Sequence, residues 1–364
     1  MRVVIAGGGT GGHLYPGIAV ARELLARDTA AQVTFAGTSS GIEARVLPRE
    51  GFILDVIRSG GLKGKSLADR VRGLWLLPLG ALDAWRLISQ RRPQVVIGVG
   101  GYSSGPVVLA ALLRGIPTMV LEQNAVPGLT NRLLAPLVRA AAVTYDSTRS
   151  FFGDKAVVSG NPVRPEFFDR AGPSAREADA DGGSAVVRVL VFGGSQGAHA
   201  INVAMVEAAP ELAARGAHIR LTHQTGERDV EMVRAGYRAA GVQAEVEPFF
   251  YDMGRQLGRA DLIVCRAGAT TLAEVAAAGR AAILIPLPTA TDDHQRKNAE
   301  ALAATGAADV LLQKDATGVR LANRILTLAN DPAARIRMAG AAGAFARPDA
   351  SKVIVDRALQ LVGK

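Results

Sequence analysis

The side chains able to do chemistry in this chain are few, and the first of them sits beside glycine. His13 closes the loop of GGGTGGHLYP (7–16), which follows the apolar run RVVIA and leads into a helix opened by Pro16. An imidazole titrates near neutrality and suits a general base; the same side chain could instead bond a loop carbonyl or steer a phosphate. Glu274 ends TLAE (271–274). It reads either as the reciprocal partner of a Thr271 helix cap or as a carboxylate accepting from two adjacent ribose hydroxyls. Arg164, in GNPVR, carries a planar fork suited to phosphate or a bridging carboxylate, with a plain surface arginine as the alternative. Asn124, in EQN, follows a strand-like run and could bond a sugar hydroxyl or simply form a turn. The only cysteine, Cys265 in ADLIVCRAG, reads as a small buried apolar residue.

Three loops place glycine between a strand-like run and a helix-like one: GGGTGGH (7–13), GVGGYSSGP (98–106) and GGSQGA (193–198). Glycine lets backbone N–H groups approach an anion, and the helix start adds its positive end. A sharp turn alone would also need glycine, but three such loops in a basic chain predict a phosphorylated ligand. Gly7, Gly9 and Gly12 satisfy G-x-G-x-x-G, so a dinucleotide site is the first reading to test. It also needs an acid about twenty residues further on for the ribose. Here the second strand, QVTFAG, ends in Gly37, Thr38 and Ser39, and the nearest acid, Glu43, lies too far along. No G-x-x-x-x-G-K-[ST] occurs either. No metal is implied, since the one D-x-D, DAD (179–181), falls in a loop.

The elements that must hold these loops are legible. Runs such as RVVIA, QVTFAG, PQVVIGV and IPTMVLE, then VRVLVFGG, AHIRLTHQ, DLIVCRAG and AAILIPL, alternate with Ala/Leu-rich stretches. Continuous apolar strands separated by helices predict parallel sheets covered on both faces, the doubly wound α/β class. The segment 167–187 lacks apolar periodicity and reads as a linker, so two Rossmann-type domains are expected, 1–164 and 165–347, with a cleft between them. The 364 residues suffice for two cores. An excess of nine positive charges favours an anionic partner, while 5% aromatic content argues against single-stranded nucleic acid. A lone cysteine fits a reducing compartment, no apolar run is long enough to span a bilayer, and the start of the chain does not read as a signal peptide. A cytoplasmic protein, soluble or peripheral to a membrane, is expected. Segment 61–93 places Trp75, Leu76, Leu77, Leu79 and Trp85 among Lys63, Lys65, Arg70, Arg72, Arg86, Arg91 and Arg92. That pattern suits an element lying on an anionic membrane face, or a helix packed on its own core with a basic outer side.

Taken in order, GGGTGGHLYPGIAVA, GVGGYSSGPVVLAA, EQNAVPGLTNRLLA, GNPVRPE, VFGGSQGAHAIN, HQTGERD and CRAGATTLAEVAAAGRAAILIPLP resemble the MurG family. These are the bacterial UDP-N-acetylglucosamine:lipid I N-acetylglucosaminyltransferases of peptidoglycan synthesis. The resemblance spans nearly the whole chain, apart from 167–187 and the C-terminal segment. It implies a GT-B fold, with residues 348–364 as a helix crossing back to the first domain. It also implies inverting transfer onto the muramyl 4-hydroxyl, with release of UDP and no cofactor. His13 becomes the candidate base. Donor contacts fall on Thr10, Gly11, Gly12, Asn124, Arg164, Ser195, Phe250, Ala269, Thr270, Thr271, Leu272, Glu274 and Gln295. Gly100, Gly101, Tyr102 and Ser103 fall to the acceptor and its phosphates. Glu274 is thereby assigned to the ribose and the backbone of Phe250 to uracil. His294 departs from the Gln-Gln that many relatives carry before and at position 295. The implied partners are UDP-N-acetylglucosamine, lipid I and the anionic cytoplasmic membrane face, with no nucleic acid. A UDP-N-acetylglucosamine epimerase is the nearest alternative enzyme, and a nucleotide-dependent oxidoreductase a more distant one.

Overall fold

Val, Ile and Ala dominate the strands because both faces of a parallel sheet must exclude water. In the computed structural model, which describes residues 1–59, 67–168, 186–194, 196–216 and 218–363 (backbone only over 67–77), every residue of the strands at 95–100 and 140–143 is buried. The chain divides into two units, Met1–Val163 with Arg347–Lys364, and Arg164–Ala346.

The first unit runs β1 (Arg2–Gly7), α1 (Gly11–Arg27), β2 (Gln32–Gly37), α2 (Glu43–Arg49), β3 (Ile53–Val56), α3 (Leu67–Arg91), β4 (Val95–Gly100), α4 (Ser104–Leu113), β5 (Thr118–Glu122), α5 (Leu129–Leu134), β6 (Ala140–Val143) and β7 (Ala156–Val158). Its strands are all parallel, in the order β3-β2-β1-β4-β5-β6-β7. The second unit continues with β8 (Val187–Phe192), α6 (His199–Arg215), β9 (Ile219–Gln224), α7 (Val230–Ala240), β10 (Ala244–Glu247), α8 (Met253–Arg259), β11 (Leu262–Cys265), α9 (Ala269–Ala278), β12 (Ala281–Leu284), α10 (His294–Ala303), β13 (Asp309–Val310), α11 (Gly318–Asn330) and α12 (Pro332–Phe345). Here the parallel order is β10-β9-β8-β11-β12-β13.

The last helix, α13 (Ala350–Leu361), belongs to the first unit. Its Ile354, Val355 and Ala358 join the core formed by Leu14, Ile18 and Phe35. Arg27 at the end of α1 pairs with Asp356, fixing the register of the two helices.

Both sheets reverse their winding beside the first strand, between β1 and β4 in one unit and between β8 and β11 in the other. Such a switch point leaves a crevice beyond the carboxyl ends of the strands, where open α/β sheets take their ligands. The glycine loops therefore stand at the two places where the winding creates room. The presumed linker is shorter at its start than the sequence suggests. Phe167 is buried within a short 3-10 turn (Pro165–Phe167), its ring 4.9 Å beneath the Arg164 guanidinium.

Candidate active site

In the first unit, the loops after β1 and β4 interlock. Gly100 has φ +96°, and a Cβ there would come within 2.9 Å of the His13 imidazole. Only glycine lets the second loop close against that ring. His13 lies in the first turn of α1, its N–H bonded to Thr10 O at 3.2 Å. Its Nδ1 is 3.3 Å from Gln123 Oε1, while Gln123 Nε2 donates to Val99 O at 3.0 Å. Thr10 is exposed at the loop tip and does not cap α1 with its hydroxyl. On the second loop, Gly101 also has a left-handed φ of +82°, Tyr102 is exposed and Ser103 is buried.

A residue that the sequence pattern sets aside organises this loop. Glu43 is fully buried, and its carboxylate accepts from Gly9 N (2.8 Å), Thr38 N (2.9 Å) and Thr38 Oγ1 (2.8 Å). A Cβ on Gly8, φ +154°, would fall 2.5 Å from that carboxyl carbon. Burial alone would raise the acid, but the donors of Gly9, Thr38 and its own backbone outweigh it and hold it below its ordinary value. The acid missing from the dinucleotide reading is thus turned into the loop. A neighbouring carboxylate, Glu122 at the end of β5, is buried and tied to Asn124 N and Nδ2, Gly128 N and Asn131 Nδ2 at 2.9–3.1 Å.

The second unit is held differently. Gln224 joins the loop after β8 to the chain after β10, with Nε2 donating to Gly194 O at 2.9 Å and Oε1 accepting from Phe250 N at 2.8 Å. The N–H of Phe250 is therefore occupied, so a base can be read there only through the carbonyl; the phenyl ring itself is buried. Ser195 lies outside the described residues. His199 opens α6 beyond that loop, its Nδ1 2.9 Å from Asp229 Oδ2, which also accepts from Asn202 Nδ2 at 2.8 Å. The sequence reading did not single out this trio.

The helix carrying Glu274 starts earlier than the capping pattern suggests. Gly268 is the N-cap of α9 and supplies no side chain, so Thr271 lies inside the first turn and Glu274 in the second. The capping-box alternative is therefore wrong. Ala269, Thr270 and Thr271 open a helix whose first-turn N–H groups and dipole favour an anion. The Leu272 side chain is fully buried, and its N–H bonds Gly268 O at 2.9 Å.

Burial pushes the Glu274 carboxyl up to about 7, against the pull of Arg164 and with a further push from Glu166. Arg164 itself pairs with Glu166 at 3.2 Å. Gln295, in α10, accepts through Oε1 from Ala267 N (3.2 Å) and Leu287 N (3.0 Å), so its amide nitrogen is the end suited to a ligand oxygen. His294 bonds the Thr291 carbonyl within its own turn. Arg266 is a further buried residue unmarked in the sequence. It reaches Ile285 O, Pro286 O and Gln313 Oε1 at 2.7–3.2 Å, binding together the chain ends after β11, β12 and β13.

Of the residues expected at a membrane, Trp85 (44% exposed) and Leu79 face solvent, while the side chains of Trp75, Leu76 and Leu77 lie outside the described residues. Leu82 joins them on α3; α4, packed against α3, and α5, packed against α4, add exposed Leu109, Leu113 and Leu133. Arg114 stacks 4.8 Å over the Trp85 ring. None of the helices described is both long and apolar enough to cross a bilayer.

Tandem sheets of this winding, each with glycine loops at its switch point, define the two-domain GT-B class. The N-terminal domain of glycosyltransferase family 28 matches residues 3–143 and the C-terminal domain of that family matches 188–354. A UDP-N-acetylglucosamine–N-acetylmuramyl-(pentapeptide) pyrophosphoryl-undecaprenol N-acetylglucosamine transferase from Pelobacter propionicus is 48% identical over 375 residues, covering 99% of both chains. The crystal structure of MurG from Acinetobacter baumannii is 33% identical with a TM-score of 0.79, again over 99% of each chain. A UDP-N-acetylglucosamine 2-epimerase from Neisseria meningitidis reaches a TM-score of 0.69 at 15% identity, a likeness of fold alone. The chain belongs to glycosyltransferase family 28, within the UDP-N-acetylglucosamine–N-acetylmuramyl-(pentapeptide) pyrophosphoryl-undecaprenol N-acetylglucosamine transferases.

Proposed function

We propose that this protein transfers N-acetylglucosamine from UDP-N-acetylglucosamine to the muramyl 4-hydroxyl of lipid I, with inversion at the anomeric carbon and release of UDP. The observation that carries the reading is 48% identity sustained over 99% of both chains with a transferase of that name. An epimerase has no such support.

In this reading the acceptor hydroxyl attacks the anomeric carbon as its proton passes to His13, and the bond from that carbon to the diphosphate oxygen breaks. The sugar passes through an oxocarbenium-like state, as in glycoside hydrolysis. Charge growing on the leaving diphosphate is met by N–H groups and helix ends at the loop 193–198 and at the start of α9. Glu274 accepts from the ribose hydroxyls, the Phe250 carbonyl reads uracil, and Gln295 donates to sugar hydroxyls. Ser195, Arg164 and the first turn of α9 bind the nucleotide's phosphates. Asn124 and the Thr10–Gly12 segment meet the donor sugar, and Gly100, Gly101, Tyr102 and Ser103 meet the acceptor. No protein-bound intermediate is needed, because one displacement inverts the centre.

The apolar and basic surface of α3, α4 and α5 rests on the anionic cytoplasmic leaflet, where a polyprenyl acceptor resides. Supporting this are the exposed leucines and the Trp85–Arg114 pair. Each cation near such a surface contributes about 1 kcal/mol, enough in combination for reversible attachment. The decisive experiment follows UDP release from UDP-N-acetylglucosamine with and without a lipid I analogue, for wild type, His13→Ala and Glu274→Ala. Release that depends on the acceptor is expected from wild type and is lost or strongly reduced in both variants. Release independent of acceptor would end the transferase reading.

A further inference from the structure

Three groups meet behind the first glycine loop: the His13 imidazole, the Gln123 amide and the Val99 carbonyl. Gln123 follows β5 directly and is 2% exposed. Its Nε2 donates to Val99 O at 3.0 Å, and its Oε1 lies 3.3 Å from His13 Nδ1. A carbonyl oxygen accepts but cannot donate, so turning the amide around would set two oxygens against each other. The orientation of Gln123 is therefore fixed by Val99. Oε1 also only accepts, and the nitrogen facing it must be the one that carries hydrogen.

We propose that Gln123 is a positioning residue that holds His13 as the Nδ1–H tautomer, leaving the Nε2 lone pair to take the proton of the acceptor hydroxyl. This rests on the reading of His13 as the base and deepens it. Which ring nitrogen is protonated is set by the bond the other one makes, and a wrong tautomer disables a base whose geometry is otherwise intact. The orienting group here is a neutral amide. It selects the tautomer without placing a negative charge beside the ring. The carboxyls on adjoining elements, Glu43 and Glu122, are each turned into their own loops by backbone and amide donors. Gly100 completes the arrangement, since any side chain there would push the ring from Gln123.

The test reads the tautomer and the chemistry separately. Nitrogen-15 spectra of histidine-labelled protein, with His13 assigned by difference against His13→Ala, are expected to show a protonated Nδ1 and an unprotonated Nε2. Gln123→Met removes the acceptor at similar size. It should mix or reverse the tautomers and lower kcat roughly tenfold to a hundredfold, with the KM for UDP-N-acetylglucosamine unchanged. Gln123→Glu keeps an acceptor but adds charge, which favours the imidazolium. The acid limb of its pH–rate profile should move up by about one unit or more. An Nε2–H tautomer in wild type overturns the proposal. So does a Gln123→Met protein with wild-type tautomer and kcat. Should Gln123→Met fail to fold, the wild-type spectrum and the Gln123→Glu profile still decide. Full activity in His13→Ala, beside an Nδ1–H tautomer that depends on Gln123, would instead overturn the base and leave the orienting contact standing.

Discussion

Glu43 and Glu274 are the same residue type, each removed from bulk water beside a switch point, yet their acidities move in opposite directions. Burial works against the charge at both sites. At Glu43 the protein supplies the answering donors itself, from Gly9 and Thr38, and the acid stays ionised below its usual range. At Glu274 no such set of backbone donors among the described residues offsets burial, and the carboxyl is held up at about 7. A buried carboxylate whose hydrogen bonds come from its own backbone is a structural part. One without them keeps its burial penalty, which suits the ribose contact proposed for Glu274.

The sharpest way to break this comparison is to remove both acids and measure different things. Glu43→Ala leaves Gly9 N, Thr38 N and Thr38 Oγ1 without their acceptor, and it empties the space under Gly8. A buried orphaned donor costs about 1–3 kcal/mol, so the first unit should lose about 3 kcal/mol or more. Both tryptophans, Trp75 and Trp85, belong to that unit, and urea unfolding followed by their fluorescence reports it alone. A transition matching wild type would deny Glu43 its structural role. Glu274→Ala should behave in the opposite manner. Unfolding of the second unit, followed by calorimetry, should be unchanged or slightly strengthened, while UDP affinity falls. Two hydrogen bonds to a carboxylate are worth about 2 kcal/mol or more together, which is roughly thirtyfold in Kd.

The pH dependence sharpens the contrast further. Glu274 has a folded value raised above the ordinary 4.5, so it weakens folding as pH rises from about 4.5 to about 7 and adds nothing further above that. Glu43 has a lowered value, so its contribution is present above 4.5 and is lost as pH falls through the lowered one. Under the proposed ribose contact, hydroxyls donating to Glu274 favour its ionised form, and binding is expected to expel a proton. UDP-N-acetylglucosamine, whose diphosphate has no titrating terminal oxygen, should bind more weakly as pH falls below 7, by at most about tenfold per unit. Calorimetry in buffers of differing ionisation enthalpy measures the released proton. Glu274→Gln should release none, and release equal to wild type in that variant would place the titrating group elsewhere.

The winding of both sheets follows from features each strand carries locally: β-branched runs, glycine at the strand end and an amphipathic stretch after it. The sequence singles out His13 for a similar reason, as a reactive side chain next to glycine, and Glu274 through the TLAE pattern. What escaped was the set of polar residues that bond backbone far away in sequence. Glu43 meets Gly9 across 34 residues and Gln224 meets Gly194 across 30, and no local pattern encodes either partner. The only trace of Glu43 is indirect: Gly8, Gly37 and Gly41 must all lack a Cβ to make room for its carboxyl. The capping pattern at Thr271 misled because the helix starts three residues earlier than the pattern needs, putting Gly268 at the cap.

The smallest effect concerns the outer face of the first unit rather than the loops, and it tests the proposed contact of that face with lipid. Exposed apolar residues of α3, α4 and α5 are interleaved with cations, and Leu113 is 72% exposed at the end of α4. Trp85 contributes an amphipathic ring under Arg114, a pairing suited to the headgroup level. Because the site is exposed, Leu113→Glu and Trp85→Ala should leave urea unfolding of the first unit within about 0.5 kcal/mol of wild type. Partitioning onto phosphatidylglycerol vesicles should weaken by about 1 kcal/mol for each, roughly fivefold, and by less onto neutral vesicles. Turnover with a water-soluble lipid I analogue should be unaffected, whereas turnover of acceptor embedded in vesicles falls with the partitioning. Equal losses in both assays would mean that these residues support the fold or the chemistry, and the face would then have no separate part in reaching the membrane.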